Sequence, residues 1–184
     1  MNRRVSYAVP SLLLIGVLAG CSTEQPAATS TTASKTSVQP PASTAPKEAP
    51  PIPEPTTDGE CPYLSTGVVQ EANGQLVRKV RLSEDSPNPA CFFYANSTDV
   101  QLSVWVYEGD AKIAKSVVDR AAPIAQSSPA SAPEGWTGGS LTSETGAVYA
   151  VSKGTTAVVV TSNQQQTIKA RRITETVVTN LKLG

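Results

Sequence analysis

Three thiols, Cys21, Cys61 and Cys91, and no imidazole set the chemistry open to this 184-residue chain. Without histidine there is no Ser-His-Asp triad, no Cys-His pair and no His-ligated zinc. A serine nucleophile would need a lysine as its base, yet no Ser-x-x-Lys occurs. Ser116 lies beside Lys115 and four residues after Lys112, on a helix face read as solvated. A glycosidase needs two carboxylates across a cleft, one of them in an environment that raises its pKa. Among the acids after Cys61, Asp110 is read as a helix cap and Glu175 as a partner of Arg171 or Arg172. The other acids fall mainly in turn-like segments, and neither a phosphate loop nor a calcium loop is present. What remains is lipid attachment, disulfide formation and non-covalent binding, with no catalytic residue, metal or cofactor implied.

Cys21 closes the sequence Leu18-Ala19-Gly20-Cys21. Before it come Arg3-Arg4 and a mostly apolar stretch from Tyr7 to Ala19, interrupted by Pro10. That stretch is shorter than the ~20 apolar residues that span a bilayer, and it suits the apolar region of a signal peptide. A leucine and two small residues before a cysteine resemble the bacterial lipobox, whose thiol accepts a diacylglycerol before cleavage. An ordinary secretory signal with an incidental cysteine is the alternative. Residues 1–20 are read as a lipoprotein signal peptide, exported by general secretion rather than the twin-arginine route, with Cys21 as the lipid attachment site. One acyl chain holds a protein only marginally, whereas two hold it stably. The mature chain is therefore expected at the cell membrane, lipid-anchored on the extracytoplasmic face.

An exported location permits disulfides. Cys61 and Cys91 are read as one, closing a loop of about 31 residues; two separate thiols are the alternative. Their spacing excludes a Cys-x-x-Cys redox motif, and the ligand count excludes a zinc site.

Three features could bind a partner. Trp136 precedes Thr137-Gly138-Gly139 in an expected loop from Ser127 to Gly139, a large ring beside two flexible residues. The alternative is a tryptophan plugging the edge of the core. Trp105 and Tyr107, with Tyr94, form a stripe that lines either a groove or the underside of a helix. Arg78, Lys79 and Arg81, or Lys169, Arg171 and Arg172, could meet anionic lipid or wall polymer, although such runs are usually solvated faces. The formal net charge of +0 gives no electrostatic footprint for nucleic acid.

The elements that would carry these residues follow from periodicity. Ser65 or Thr66 caps a helix through Ala72 that ends at Asn73-Gly74, unless Asn-Gly is a hairpin turn. Gln75 to Ser83 alternates, with Leu76, Val80 and Leu82 on one face. Cys91–Ala95 and Val100–Glu108 read as paired strands, the second with Val100, Leu102, Val104 and Val106 opposite Trp105 and Tyr107. Asp110 opens a helix with Ile113, Ala114, Val117, Val118 and Ala121 on one stripe, and Pro123 stops it. Leu141–Ser143 reads as a short strand, and Ala147–Lys153 with Thr156–Ser162 as a hairpin about Gly154. Asn163, with Gln166 in the capping-box position, opens a last helix to about Lys182. Its buried stripe is Ala170, Ile173, Val177 and Leu181, with Lys169, Arg171, Arg172 and Glu175 facing out. The order is α-βββ-α-ββ(β)-α. Grouped strands argue for an α+β class, an antiparallel sheet packed with about three helices and carrying one disulfide.

Residues 22–60 contain 8 Pro, 13 Ser or Thr and 6 Ala, with Val38 and Ile52 their only larger aliphatics. Such a segment cannot bury enough apolar surface to offset its ordering entropy. Residues 21–60 are therefore expected to be a disordered, lipid-anchored tether, with a polyproline II tendency at Pro50-Pro51-Ile52-Pro53-Glu54-Pro55. Residues 61–184 are expected to form one folded domain, which holds eight of the nine aromatic residues.

Several stretches of this domain carry a resemblance. They are Cys61-Pro62-Tyr63-Leu64, Glu71-Ala72-Asn73-Gly74, Cys91-Phe92-Phe93-Tyr94, Val104-Trp105-Val106-Tyr107, Gly146-Ala147-Val148-Tyr149-Ala150-Val151 and the segment from Ala157 to Arg172. Together they resemble the actinobacterial exported proteins grouped as Domain of Unknown Function 2020. The resemblance implies no activity and no catalytic residues.

The function expected is a non-catalytic, lipid-anchored binding domain of the bacterial cell envelope. Its partners would be the membrane, through the lipid anchor, and an envelope protein, lipid or polymer. A structural or accessory subunit of an envelope assembly, or less readily a carboxylate-dependent hydrolase, are the alternatives. The anchor is open to direct test. Cys21→Ala is expected to move the protein out of the membrane fraction and to remove the lipid from its mature mass. Unchanged partitioning and mass would show that Cys21 carries no lipid.

Overall fold

The computed structural model describes residues 48–184. The expected signal peptide, Cys21 and the tether as far as residue 47 lie outside the described residues.

The elements run β1 (Thr57–Asp58), α1 (Thr66–Asn73), β2 (Lys79–Leu82), β3 (Cys91–Tyr94), β4 (Val100–Glu108), α2 (Ala111–Ala121), β5 (Ser128–Ala130), β6 (Thr137–Ser143), β7 (Gly146–Lys153), β8 (Thr156–Ser162) and α3 (Thr167–Leu181). All strands join one eight-stranded sheet in the order β1-β2-β3-β4-β8-β7-β6-β5. Every pairing is antiparallel. Two meanders, β1–β4 and β5–β8, meet where β4 pairs β8 from Leu102↔Ser162 to Glu108↔Thr156. The expected α+β class, three helices and Cys61–Cys91 disulfide are all present, with the two sulfurs bonded and the Cα atoms 5.7 Å apart.

Alternation divides the strands between two faces. Leu102, Val104 and Val106 of β4 and Val158 and Val160 of β8 turn to the face covered by α1 and α3, where Val69, Ile173 and Val177 pack on them. The opposite face takes α2, whose Ile113, Ala114, Val117 and Val118 lie with Ala150, Ala157 and Val159. The alanines there let the helix come close. Val158, Val159 and Val160 are buried in succession because both faces of β8 are covered. Asp110 caps α2 as expected, accepting from the amides of Lys112 and Ile113. Ser65 caps α1, and Gly74 ends it with φ of 76°.

At one end of the β4–β8 joint a buried polar cluster ties the helices to the sheet. Asn73 Nδ2 donates to Gln101 Oε1 (3.1 Å) and Asn163 Oδ1 (3.2 Å), while its Oδ1 accepts from Ser162 Oγ (2.6 Å). Gln101 Nε2 donates to Leu76 O at 2.9 Å. Lys169 Nζ donates to Asn73 O (3.1 Å), satisfying a carbonyl at the end of α1.

That cluster accounts for three departures from the expected pattern. Asn163 is not the α3 cap; its amide is committed to Asn73 and Gln75, and α3 starts after Gln166 without a side-chain cap. Lys169 turns inward instead of facing out. Gln75–Arg78 do not extend β2, and Leu76 is exposed where the alternation placed it on the buried face. Val100 is also exposed, because the β3–β4 register shifts at Phe93/Tyr94 and buries Gln101 and Leu102 in succession. The segment expected as a loop from Ser127 to Gly139 contains β5 and the start of β6. The domain boundary expected at Cys61 is too late: residues 56–59 pair with β2, through Thr56 N–Leu82 O (2.8 Å), the β1 register and Gly59 N–Val80 O (3.2 Å).

Two stability outcomes follow. Asn73→Ala leaves Gln101 Oε1 and Ser162 Oγ without their partner and is expected to cost about 2–4 kcal/mol, read from denaturant unfolding. Replacing both Cys61 and Cys91 by serine is expected to cost about 3–4 kcal/mol by the loop-entropy relation, with reductant having no further effect on that variant.

Candidate functional site

The sheet face under α2 carries a cross-strand row formed by Phe92, Ser103, Thr161 and Val148, on β3, β4, β8 and β7. A second row begins with Trp105 and Val159. α2 covers the second row towards β7. The first row contains two small hydroxyl residues and leaves a depression.

The segment from Ala49 to Pro55 crosses this depression. Prolines at 50, 51, 53 and 55 fix φ and remove the amide donors that would add the segment to the sheet. It lies over the face as a strap, held at one end by β1. There Arg81 Nη2 donates to Thr56 O (2.9 Å), and the Asp58 carboxylate lies 3.1 Å from Arg81 Nε. At the other end Arg120 Nη1 donates to Ala49 O at 3.4 Å. The guanidinium of Arg120 also stands 5.6 Å from the centre of the Trp105 ring, within cation–π range.

Beneath Ile52 and Pro53 is a cavity of about 250 Å³. Its walls are mainly apolar, with Phe92, Trp105, Val117, Val148 and Val159 among them. Ser103 and Thr161 contribute hydroxyls, and Arg120 is the single charged residue of the lining. On the other side of Ile52, Pro53 and Trp105 is a groove of about 620 Å³ containing Trp105 and Tyr107. Its lining has four acids, Glu54, Glu84, Asp85 and Glu108, and no base. Ser83 Oγ donates to Asp85 Oδ2 (2.6 Å) and Asn88 Nδ2 to Glu108 Oε2 (2.8 Å). A more open groove of about 510 Å³ lies between α1 and α3, edged by Glu71, Arg172 and Glu175.

Of the binding residues expected from sequence, Trp105 and Tyr107 are brought together here, half-buried on the α2 face. Tyr94 does not join their stripe; it is buried, with Lys79 Nζ 4.4 Å from its ring centre. Trp136 is 2% exposed in the core on the α1–α3 face, so its ring offers no surface to a ligand. Nor are Gly138 and Gly139 flexible loop residues. They lie in β6, where a Cβ on Gly139 would stand 2.6 Å from Ser127 Oγ and 3.0 Å from Ala122 Cβ, and one on Gly138 would strike the Ala150 carbonyl. The alternative weighed for Trp136, a plug in the core, describes its position.

The basic runs are also divided by the fold. Lys79 turns to Tyr94, Arg81 to Asp58 and Lys169 to Asn73. Arg171 pairs with Glu175 at 2.8 Å, whose hydrogen bond and charge raise the guanidinium pKa further. Ser116 donates to Lys112 O, and Lys115 is paired with Asp119, so no Ser-Lys dyad forms. Tyr63 is buried beside the disulfide; burial, then the Asp85 charge, push its phenol well above the usual range, and its hydroxyl donates to Pro89 O. Among the described residues, no group of three or more acidic or cysteine side chains is placed to hold a metal. No described helix is long and apolar enough to cross a membrane.

Ser103, Thr161, Arg120 and the strap were not singled out from sequence. The available signal is the small polar residue that replaces a large one at Ser103 and Thr161, on the face opposite Val104 and Val106 of β4 and Val158 and Val160 of β8. A family model described as "Domain of unknown function (DUF2020)" matches residues 45–183, a span that includes the whole strap. No curated protein matches the chain.

Proposed function

This chain belongs to the DUF2020 family, and we propose that it is a lipid-anchored extracytoplasmic binding domain of the bacterial cell envelope, without catalytic activity. The observation that carries the reading is the apolar cavity beside Trp105. Ligand sites are commonly concave and mostly apolar, with a few polar groups that fix orientation. This cavity has that composition. The lipobox-like sequence at Cys21 supports the anchor, which would hold the domain near its partners and raise their effective concentration.

The accessory-subunit alternative calls for a large exposed apolar patch. Among the described residues, the large exposed apolar side chains are Ile52, Leu76, Val100, Ile124 and Ile168, single residues rather than a run. The hydrolase alternative has the acidic groove in its favour. A general acid, however, needs a carboxyl set in apolar surroundings. Glu54, Glu84, Asp85 and Glu108 are all exposed, and two of them already accept side-chain hydrogen bonds.

Photo-crosslinking from position 52 in intact cells, followed by mass spectrometry of the captured species, tests the binding reading. Capture of one envelope component, reduced when the cavity is filled by Ser103→Phe, is the expected result. Capture unchanged by Ser103→Phe would remove the cavity as the site. Substrate turnover lost in Glu108→Gln would replace binding by catalysis.

A further inference from the structure

We propose that the cavity beneath Ile52 and Pro53 takes the tail of a fatty acid, with the carboxylate head held at its rim by Arg120. This rests on the binding reading and names the ligand class for the same site. The tail is argued from space and polarity. The cavity holds about 250 Å³, and its walls include Phe92, Trp105, Val117, Val148 and Val159. At ~30 Å³ for the liquid share of each water, that is room for about eight waters, or a comparable number of methylenes. Apolar cavities stay dry and favour apolar guests.

The head is argued from charge. Arg120 is the single charged residue of the lining. It belongs to none of the ion pairs among the described residues, which are Arg81–Asp58, Lys115–Asp119 and Arg171–Glu175. Its guanidinium is oriented by the Trp105 ring and by Ala49 O, and a planar fork of donors matches a carboxylate. One cation balances a monoanionic head. The adjoining groove beyond Ile52, Pro53 and Trp105 is lined by four acids and no base, so it repels such a head and leaves the Arg120 side as its place.

Isothermal titration of the purified full chain with octanoate, 1-octanol and octyltrimethylammonium tests the assignment, together with the series butanoate, hexanoate, octanoate. Octanoate is expected to bind at least tenfold more tightly than the other two eight-carbon probes. At ~0.8 kcal/mol per methylene, each two-carbon step up to octanoate is expected to tighten binding on the order of tenfold. Arg120→Gln is expected to bring octanoate down to the affinity that octanol has for the same variant, and Arg120→Lys to restore part of the difference. Ser103→Phe is expected to abolish the dependence on tail length. Should that variant fail to fold by circular dichroism, Thr161→Phe, at an exposed position of the lining, serves the same purpose. Equal binding of octanoate and octanol to the unmodified chain overturns the head-group assignment and leaves the binding reading standing. Absence of binding by all three probes overturns the fatty-acid assignment, while capture from position 52 separately decides the binding reading. Binding that survives both cavity-filling variants places the ligand elsewhere and overturns the proposal.

Discussion

One helix cannot cover one face of an eight-stranded sheet, and the arrangement of this molecule follows from that mismatch. At ~4.8 Å between strands the sheet is about 34 Å wide, whereas a helix with its side chains is about 10–12 Å across. On one face α1 and α3 share the work and build the larger core. On the other, α2 has only the residues from Ala111 to Ala121 and packs on β6, β7 and β8, reaching β4 at its edge. The β3–β4 side of that face is left for a segment with no helix and no ladder of its own. A proline-rich strap suits the position, because it can lie across strands without demanding amide partners. The strap meets the small side chains of Ser103 and Thr161, and the gap between them is the cavity.

The polar cluster around Asn73 solves a different problem at the same joint. β4 and β8 belong to separate meanders, so no short turn fixes their register. On the α1–α3 face, Leu102, Val104 and Val106 of β4 and Val158 and Val160 of β8 would tolerate a slip of two residues with little loss of apolar burial. Gln101 and Ser162 stand at the end of that pairing and bond through Asn73, and backbone Asn163 N–Gln101 O at 2.9 Å closes the same corner. A slip would strand these groups in a buried site, where an unpaired polar atom is costly. The cluster thus fixes how far along β8 each side chain of β4 stands, and with it the position of Trp105 opposite Val159.

Strong periodicity was legible in the sequence, and contacts between distant segments were not. β4 has the expected limits, Val100–Glu108, because alternation and a polar turn both define it. Asp110 and the stripe of α2 are legible for the same reason: the cap and the spacing lie within about a dozen residues. Asn163 reads as a cap because a good capping residue and a good bridging residue look alike until Asn73 and Gln75 arrive from about ninety residues away. Gly138-Gly139 looked like a mobile loop, since glycine signals freedom and close packing equally well. The strap is not legible for a compositional reason. Proline, threonine and alanine announce that a segment cannot form its own core, but they are silent on whether a sheet elsewhere has been left uncovered.

The strap is held differently at its two ends. Below Pro55 it is stitched to β2 by backbone hydrogen bonds on both sides of β1. At the roof, Ile52 is 68% exposed and buries little, and the polar tie is the 3.4 Å contact between Arg120 and Ala49 O. Segments with few buried contacts and solvent-exposed hydrogen bonds open locally at low cost. Lifting Ala49–Pro53 breaks no strand pairing and uncovers Trp105, Phe92 and the hydroxyl row together. The same side chain, Arg120, that ties the roof down is freed by that movement. A guanidinium carries several N–H donors and Ala49 O takes one of them, so an anionic group at the rim would be held by the others without displacing the strap. Lifting the strap costs the packing of Ala49 against the α2 core and leaves the sheet itself untouched.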